Sequence, residues 1–189
     1  KKNLIIIITI LVIVISCLIF IFTINKPTKK PSEMINQLQE FNVGIPNLIE
    51  QNENLLSSIE EKYKQNNLRG SLDDAVELKS AIQQLTDESL KLTELLKNIV
   101  TSLSSVDKKS QPIIQEVVQY EISAMNYLVT YSSLKEALTQ QIGLEYESKI
   151  DNQPIKRKTD VLGTIKQMRE LLDNIKKNID DSSKIIQNI

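Results

Sequence analysis

From Ser32 onward, apolar residues return every three or four positions, with Lys, Glu, Gln and Asn between them. This is the spacing of helices that bury one stripe and leave the rest in water. The first run, Ile35, Leu38, Phe41, Ile45, Leu48, Leu55, Ile59 and Tyr63, is interrupted at Asn52. It predicts a helix over 33–66 capped by Ser32, with a kink or a short separate helix at Gly44–Pro46. The second run is the most regular: Ala75, Leu78, Ile82, Leu85, Ser89, Leu92, Leu96, Ile99, Leu103 and Val106. A strict three-four alternation over more than four heptads predicts a supercoiled helix over 71–107, opened by a capping-box-like pair, Ser71 and Asp74. Leu72, Leu95 and Val100 widen that stripe, which suits a multi-helix bundle better than a two-stranded coil.

After Asp107-Lys108-Lys109-Ser110, a third helix is expected over 111–143, with room to continue to Ile150. Its stripe is Ile113, Val117, Tyr120, Ala124, Tyr127, Tyr131, Leu134 and Leu138. A fourth, over 156–189, carries Ile165, Met168, Leu172, Ile175, Ile179, Ser182, Ile186 and Ile189. Similar lengths joined by short turns favour antiparallel neighbours. The expected fold is all-α: an N-terminal transmembrane helix, then a four-helix, up-down-up-down antiparallel bundle with coiled-coil-like packing.

The membrane helix comes from residues 4–24, LIIIITILVIVISCLIFIFTI, which contain no charge. A helix of that length spans roughly 31 Å, enough to cross a hydrocarbon core. The domain reading is therefore an anchor over 1–24, a Pro/Lys linker over 25–31 and an extracytoplasmic bundle over 32–189. Lys1-Lys2 ahead of the apolar run resembles the head of an export signal, which sets the orientation. Val14-Ile15-Ser16-Cys17 resembles the lipobox of bacterial lipoproteins, so lipidation at Cys17 is the alternative form of attachment. The apolar run continues past Cys17 to Phe22, where a lipoprotein would turn polar.

Composition narrows the chemistry. The chain has no His, no Trp, one Cys and four isolated Gly, at 44, 70, 143 and 163. A His-activated nucleophile, a His-containing metal site and a phosphate-cradling glycine loop cannot be assembled. The 23 basic and 24 acidic side chains nearly cancel, giving no nucleic-acid surface. No enzyme, cofactor, metal site or small-molecule substrate is expected.

Two features suggest binding. On the third helix, Val118, Ile122, Met125 and Val129 form a second apolar stripe, and no charge occurs from Ile122 to Leu134. The stripe falls on the face that should meet water. Either a neighbouring helix covers it, or it is a surface for a protein partner or second copy, bordered by Tyr127 and Tyr131 as anchors. Lys26, Lys29 and Lys30 in the linker, with Lys108 and Lys109 in the second turn, would form a basic collar at lipid headgroups. The same two turn lysines would also complement a helix dipole. The expected function is a tethered interaction or scaffold module of the envelope. The alternative is an extracytoplasmic sensor, because an anchor followed by four helices is similar in layout to the ligand-binding region of bacterial chemoreceptors and related histidine kinases. A chemoreceptor-like chain would continue through a second membrane helix.

Overall fold

The computed structural model describes residues 31–152, 154 and 159–188. Four helices account for nearly all of them: α1 (Pro31–Lys64), α2 (Leu68–Ser102), α3 (Gln111–Ile150) and α4 (Val161–Ile186), with one 3-10 turn at Leu103–Ser105. Among the described residues there is no strand, and no helix is long and apolar enough to cross a membrane. The apolar segment 4–24, Cys17 and the linker lysines Lys26, Lys29 and Lys30 lie outside the described residues.

Side-chain pairs fix the directions of the helices. Ser58 and Lys62 of α1 meet Asp74 of α2, Lys79 of α2 meets Glu136 of α3, and Thr164 of α4 meets Gln141 of α3. Arg169 of α4 returns to Glu53 and Glu60 of α1. In each pair one helix is read upward as its neighbour is read downward, so consecutive helices are antiparallel. The diagonal pair α1 and α3 runs parallel: Asn42 reaches Glu121 and Asn52 reaches Tyr131, both 79 residues apart.

Each helix buries a seam at three-four spacing, as supercoiled packing requires, unbroken on α1 and α4 and passing through half-buried Ser89 on α2 and Lys135 on α3. On α4 it runs Val161, Ile165, Met168, Leu172, Ile175, Ile179, Ser182 and Ile186, and on α2 it includes Ala75, Leu78, Ile82, Leu85, Leu92, Leu96 and Ile99. These agree with the stripes expected from the sequence. On α1 and α3 the expected stripe and the buried seam coincide at alternate positions, Leu38, Ile45 and Ile59 on α1 and Val117, Ala124, Tyr131 and Leu138 on α3, and differ by one residue at positions between them. On α1 the buried positions are Leu38, Asn42, Ile45, Ile49, Asn52, Leu56 and Ile59, with Phe41, Leu48 and Leu55 flanking them. On α3 they are Ile114, Val117, Glu121, Ala124, Leu128, Tyr131, Leu138 and Ile142. Ile113 and Tyr127, expected in the stripe, are on the surface.

The ends also differ from expectation. α1 begins at Pro31, placing Ser32 in its first turn, and it continues as one helix through Gly44 and Pro46 rather than dividing there. Its end is a Schellman motif: Asn66 takes a left-handed φ of 60°, its N–H bonds Tyr63 O, and Asn67 N–H bonds Lys62 O at 2.9 Å. Asn67 at once caps α2, its Oδ1 accepting Gly70 N–H at 3.1 Å. The helix therefore starts ahead of Ser71, which is buried and donates to Ile59 O, while Asp74 pairs with Lys62 at 2.7 Å. Asp160 caps α4 through Gly163 N–H in the same way. The absence of a Cβ matters at both glycines, because one at Gly163 would sit 2.3 Å from Asp160 Oδ2. Asn67→Ala and Asp160→Ala should each lower stability by about 1 kcal/mol, or roughly 2–4 °C in melting temperature. Thermal melts followed by circular dichroism will measure this.

Candidate functional site: the exposed face of the third helix

Of the ten large apolar side chains left exposed among the described residues, six lie on α3: Ile113, Ile122, Tyr127, Val129, Leu144 and Ile150. Isolated exposed apolar residues are ordinary, but Ile122, Val129 and Ile150 recur at multiples of seven residues and so share one outward face of α3. α3 packs against α2 and α4 on its flanks, with α1 across the diagonal. α2 covers Val118 and part of Met125 but leaves Ile122 and Val129 open, so burial under a neighbouring helix accounts for only part of the second stripe. The stripe divides across its width. Val118 is buried and Met125 half-buried, while Ile122 is 38% and Val129 62% exposed. Tyr127 is 36% exposed but lies about 140° around α3 from Ile122, on the flank away from the stripe.

Tyr131 does not belong to this surface. It is wholly buried, and its hydroxyl donates to Asn52 Oδ1 at 3.0 Å, while Asn52 Nδ2 donates to Leu48 O at 2.7 Å. Burial pushes the phenol far above its ordinary range. Tyr131 is a core residue whose one polar atom is matched by an asparagine on the diagonal helix.

Beside the exposed stripe, α2 and α3 enclose a groove of about 500 Å³. Leu96, Val100 and Leu103 form one wall, and Val118, Ile122 and Met125 the other. Thr93 Oγ1, 3.9 Å from Met125 Sδ, marks its inner end, and Leu103 its outer end beside the α2–α3 turn. That turn lies at the end of the bundle where α1 begins, since Met34 and Ile35 share a core cluster with Ile99 and Ile114, against which Leu103 and Val106 pack. Lys108 and Lys109 are both exposed there. Asp107 shapes the turn, its Oδ1 accepting the N–H groups of Lys109 at 2.9 Å and Ser110 at 3.1 Å. These bonds hold its carboxyl below the ordinary range, with the Ser110 side chain the first cause.

Directly beneath Ile122 lies a feature that the stripe pattern did not reveal. Two apolar clusters make up the core, and on every helix a polar seam residue separates them: Asn42 between Leu38 and Ile45, Ser89 between Leu85 and Leu92, Glu121 between Val118 and Ala124, and Ser182 between Ile179 and Ile186. Half-buried Phe41 packs against both clusters. Glu121 is fully buried, and its Oε1 accepts from Asn42 Nδ2 at 2.9 Å and from the Ser182 hydroxyl. Glu121 Oε2 and Asn42 Oδ1 have no hydrogen-bond partner, so the layer is short of donors. Desolvation pushes the Glu121 carboxyl up to about 7 against the lowering effect of its two hydrogen bonds. Pro46, one turn later, has no N–H to offer the Asn42 carbonyl, so the backbone is weakened at the same level.

Arg169 bridges Glu53 at 2.7 Å, Glu60 and Ser57, and Lys64 reaches Glu60 at 2.5 Å. The Lys64 and Arg169 hydrogen bonds lower the Glu60 carboxyl. Among the described residues no group of three Asp, Glu or Cys side chains is placed to hold a metal ion. Comparison with protein-family models, with curated proteins and with solved structures finds no match for this chain.

Proposed function

We propose that this chain is a non-enzymatic, membrane-tethered helical bundle that serves as an interaction or scaffold module of the cell envelope. The apolar segment 4–24 is the tether, residues 32–189 stand outside the cytoplasm, and the exposed face of α3 is the binding surface. The observation that carries this reading is the position of Ile122 and Val129, apolar side chains on a charge-free stretch of α3 that the other three helices leave uncovered. A lone bundle gains nothing from that arrangement, whereas a binding partner would bury it. The chemistry available agrees: the sequence has no His, and the prominent surface carboxylates Glu53, Glu60 and Asp74 are engaged in ion pairs.

Chemical crosslinking of the full chain in its native membranes tests this. Wild type should give discrete adducts that disappear in Ile122→Lys and Val129→Lys, while the melting temperature stays within the small range expected of surface substitutions. Adducts unchanged in both folded variants would remove the α3 face from the proposal.

A further inference from the structure

The polar layer that divides the core has fewer donors than its acceptors need. Asn42 Nδ2 directs its two hydrogens at Glu121 Oε1, 2.9 Å away, and Ser182 Oγ, 3.3 Å away, and the Ser182 hydroxyl donates to the same Glu121 Oε1. Ser89 turns its hydroxyl to the Thr86 carbonyl at 2.7 Å. Asn42 Oδ1 and Glu121 Oε2 are left as buried acceptors without a donor. The Asn42–Glu121 bond is one half of the two-bond ring that an amide and a carboxylic acid form, and the two unserved oxygens are the atoms of its other half. A single hydrogen on Glu121 Oε2 turns that oxygen into a donor for Asn42 Oδ1 and satisfies both at once. We infer that this hydrogen is an exchangeable proton that latches α1 to α3, and that its loss releases the first turns of α1 at Gly44–Pro46. The latch needs neither the tether nor the partner proposed above.

The chemistry of the layer fits a proton better than a metal ion. A metal ion calls for about six oxygen ligands, whereas among the described residues the layer gathers Asn42 Oδ1, Glu121 Oε2 and the Ser182 hydroxyl. The cavity at this level, about 20 Å³ beside Ser89, is otherwise lined by apolar side chains such as Phe41, Leu92 and Leu128 and reaches neither orphan oxygen. Glu121 responds only to burial, which raises its carboxyl to about 7, and to its bonds with Ser182 and Asn42, which lower it. Charged groups that flank the layer on the other helices are engaged at the surface. Glu40 of α1 is exposed, Glu88 of α2 pairs with Lys91 at 2.6 Å, and Asp181 of α4 pairs with Lys184 at 2.8 Å. Tyr120, beside Glu121 on α3, bears on Lys184 instead.

Loss of the proton leaves an unpaired charge and two unserved acceptors between α1 and α3. α1 is the helix that yields. Before Asn42 it contributes Met34, Ile35 and Leu38 to the smaller of the two core clusters. Just after Asn42, Pro46 lacks the N–H that would hold the Asn42 carbonyl, and a Cβ at Gly44 would meet nothing within 4 Å. Once detached, residues 31–42 are too short to keep a helix in water. α4, the other helix that donates to Glu121, has no proline across Val161–Ile186. The closed form holds the proton more tightly than the open form, so closure weakens as pH rises toward and through 7.

The test is hydrogen–deuterium exchange of the full chain in detergent micelles at pH 6 and pH 8, read by peptide mass spectrometry and corrected for intrinsic exchange, with infrared difference spectroscopy on the same samples. Wild type should show a protonated-carboxyl band at pH 6 that fades by pH 8 and that Glu121→Gln lacks at both. Amides 36–42 should be less protected than amides 49–60. Their protection should fall about tenfold from pH 6 to pH 8 in wild type and stay level in Glu121→Gln, whose amide keeps the two-bond ring closed at either pH. Should that variant not fold, wild type alone decides, because the band and the exchange at 36–42 must titrate together. A pH response at 36–42 that is missing in wild type, or equal in Glu121→Gln, would overturn the latch. Protection at 36–42 equal to that at 49–60, or a pH response confined to 177–186 on α4, would overturn the hinge in α1. No carboxyl band at pH 6, or protection at pH 8 that rises when sodium chloride replaces choline chloride, would overturn the proton.

Discussion

At pH 8 the Glu121→Gln protein is expected to melt well above wild type, and at pH 5 the two should melt nearly together. The cause is the polar layer across the bundle. Glu121 is fully buried with its carboxyl pushed up to about 7, against an ordinary value of 4.5 that it recovers on unfolding. Between those values the folded chain holds the proton more tightly than the unfolded chain does. Stability therefore falls as pH rises through this window, and the full cost is present above pH 7. The shift corresponds to about 3 kcal/mol, or roughly 6–12 °C in melting temperature for a chain of this size. Asn42 from α1 and Ser182 from α4 bond the group, and neither of them titrates. Glutamine keeps an acceptor for Asn42 and Ser182, removes the charge and supplies an N–H₂ donor to a layer short of donors. Calorimetry of both proteins at pH 5 and pH 8 gives the answer. A wild-type-to-mutant difference that is the same at both pH values would refute the buried ionisation.

A second large effect is expected at Tyr131. Tyr131→Ala removes the largest fully buried side chain among the described residues and should cost about 3–5 kcal/mol. Tyr131→Phe keeps the ring but leaves Asn52 Oδ1 without its donor, a loss of about 1–3 kcal/mol. Tyr127→Ala, on the surface four residues earlier, should change stability by no more than about 0.5 kcal/mol. Urea unfolding of the three variants ranks them, and Tyr127→Ala costing as much as Tyr131→Ala would contradict the seam assigned to α3.

These residues also show what the sequence could and could not disclose. The four helices and their order follow from apolar periodicity, and the seams of α2 and α4 are legible because almost every seam position there is apolar. On α1 and α3, polar residues occupy the seam at Asn42, Asn52 and Glu121, while Phe41, Leu48, Leu55, Ile113 and Tyr127 lie just beside it. An apolar count is drawn toward the flank by one residue. A strict three-four template that tolerated polar members would have kept the register, and would have found Asn42, Ser89, Glu121 and Ser182 as one layer. The start of α2 was obscured for a different reason. Asn66 and Asn67 serve as the left-handed end of one helix and the cap of the next, so a turn this short has no room for the usual loop composition. The unusual face of α3 was legible as a second stripe. Which of its members are exposed depends on packing against α2, which buries Val118 and leaves Val129 open.

The polar layer and the exposed face lie side by side on α3, Glu121 pointing into the core and Ile122 away from it. A binding event at Ile122 therefore bears on the helix that carries the least comfortable buried group in the described core. Charge at Glu121 is tolerated only because Asn42 and Ser182 both direct donors at it.

The proposed function requires residues 4–24 to hold the bundle at a membrane. Alkaline extraction of membranes containing the full chain tests it directly: a protein held by residues 4–24 should stay in the membrane pellet after carbonate treatment and float with lipid on a density gradient. Release of the folded bundle into the soluble fraction would show that residues 4–24 do not tether it.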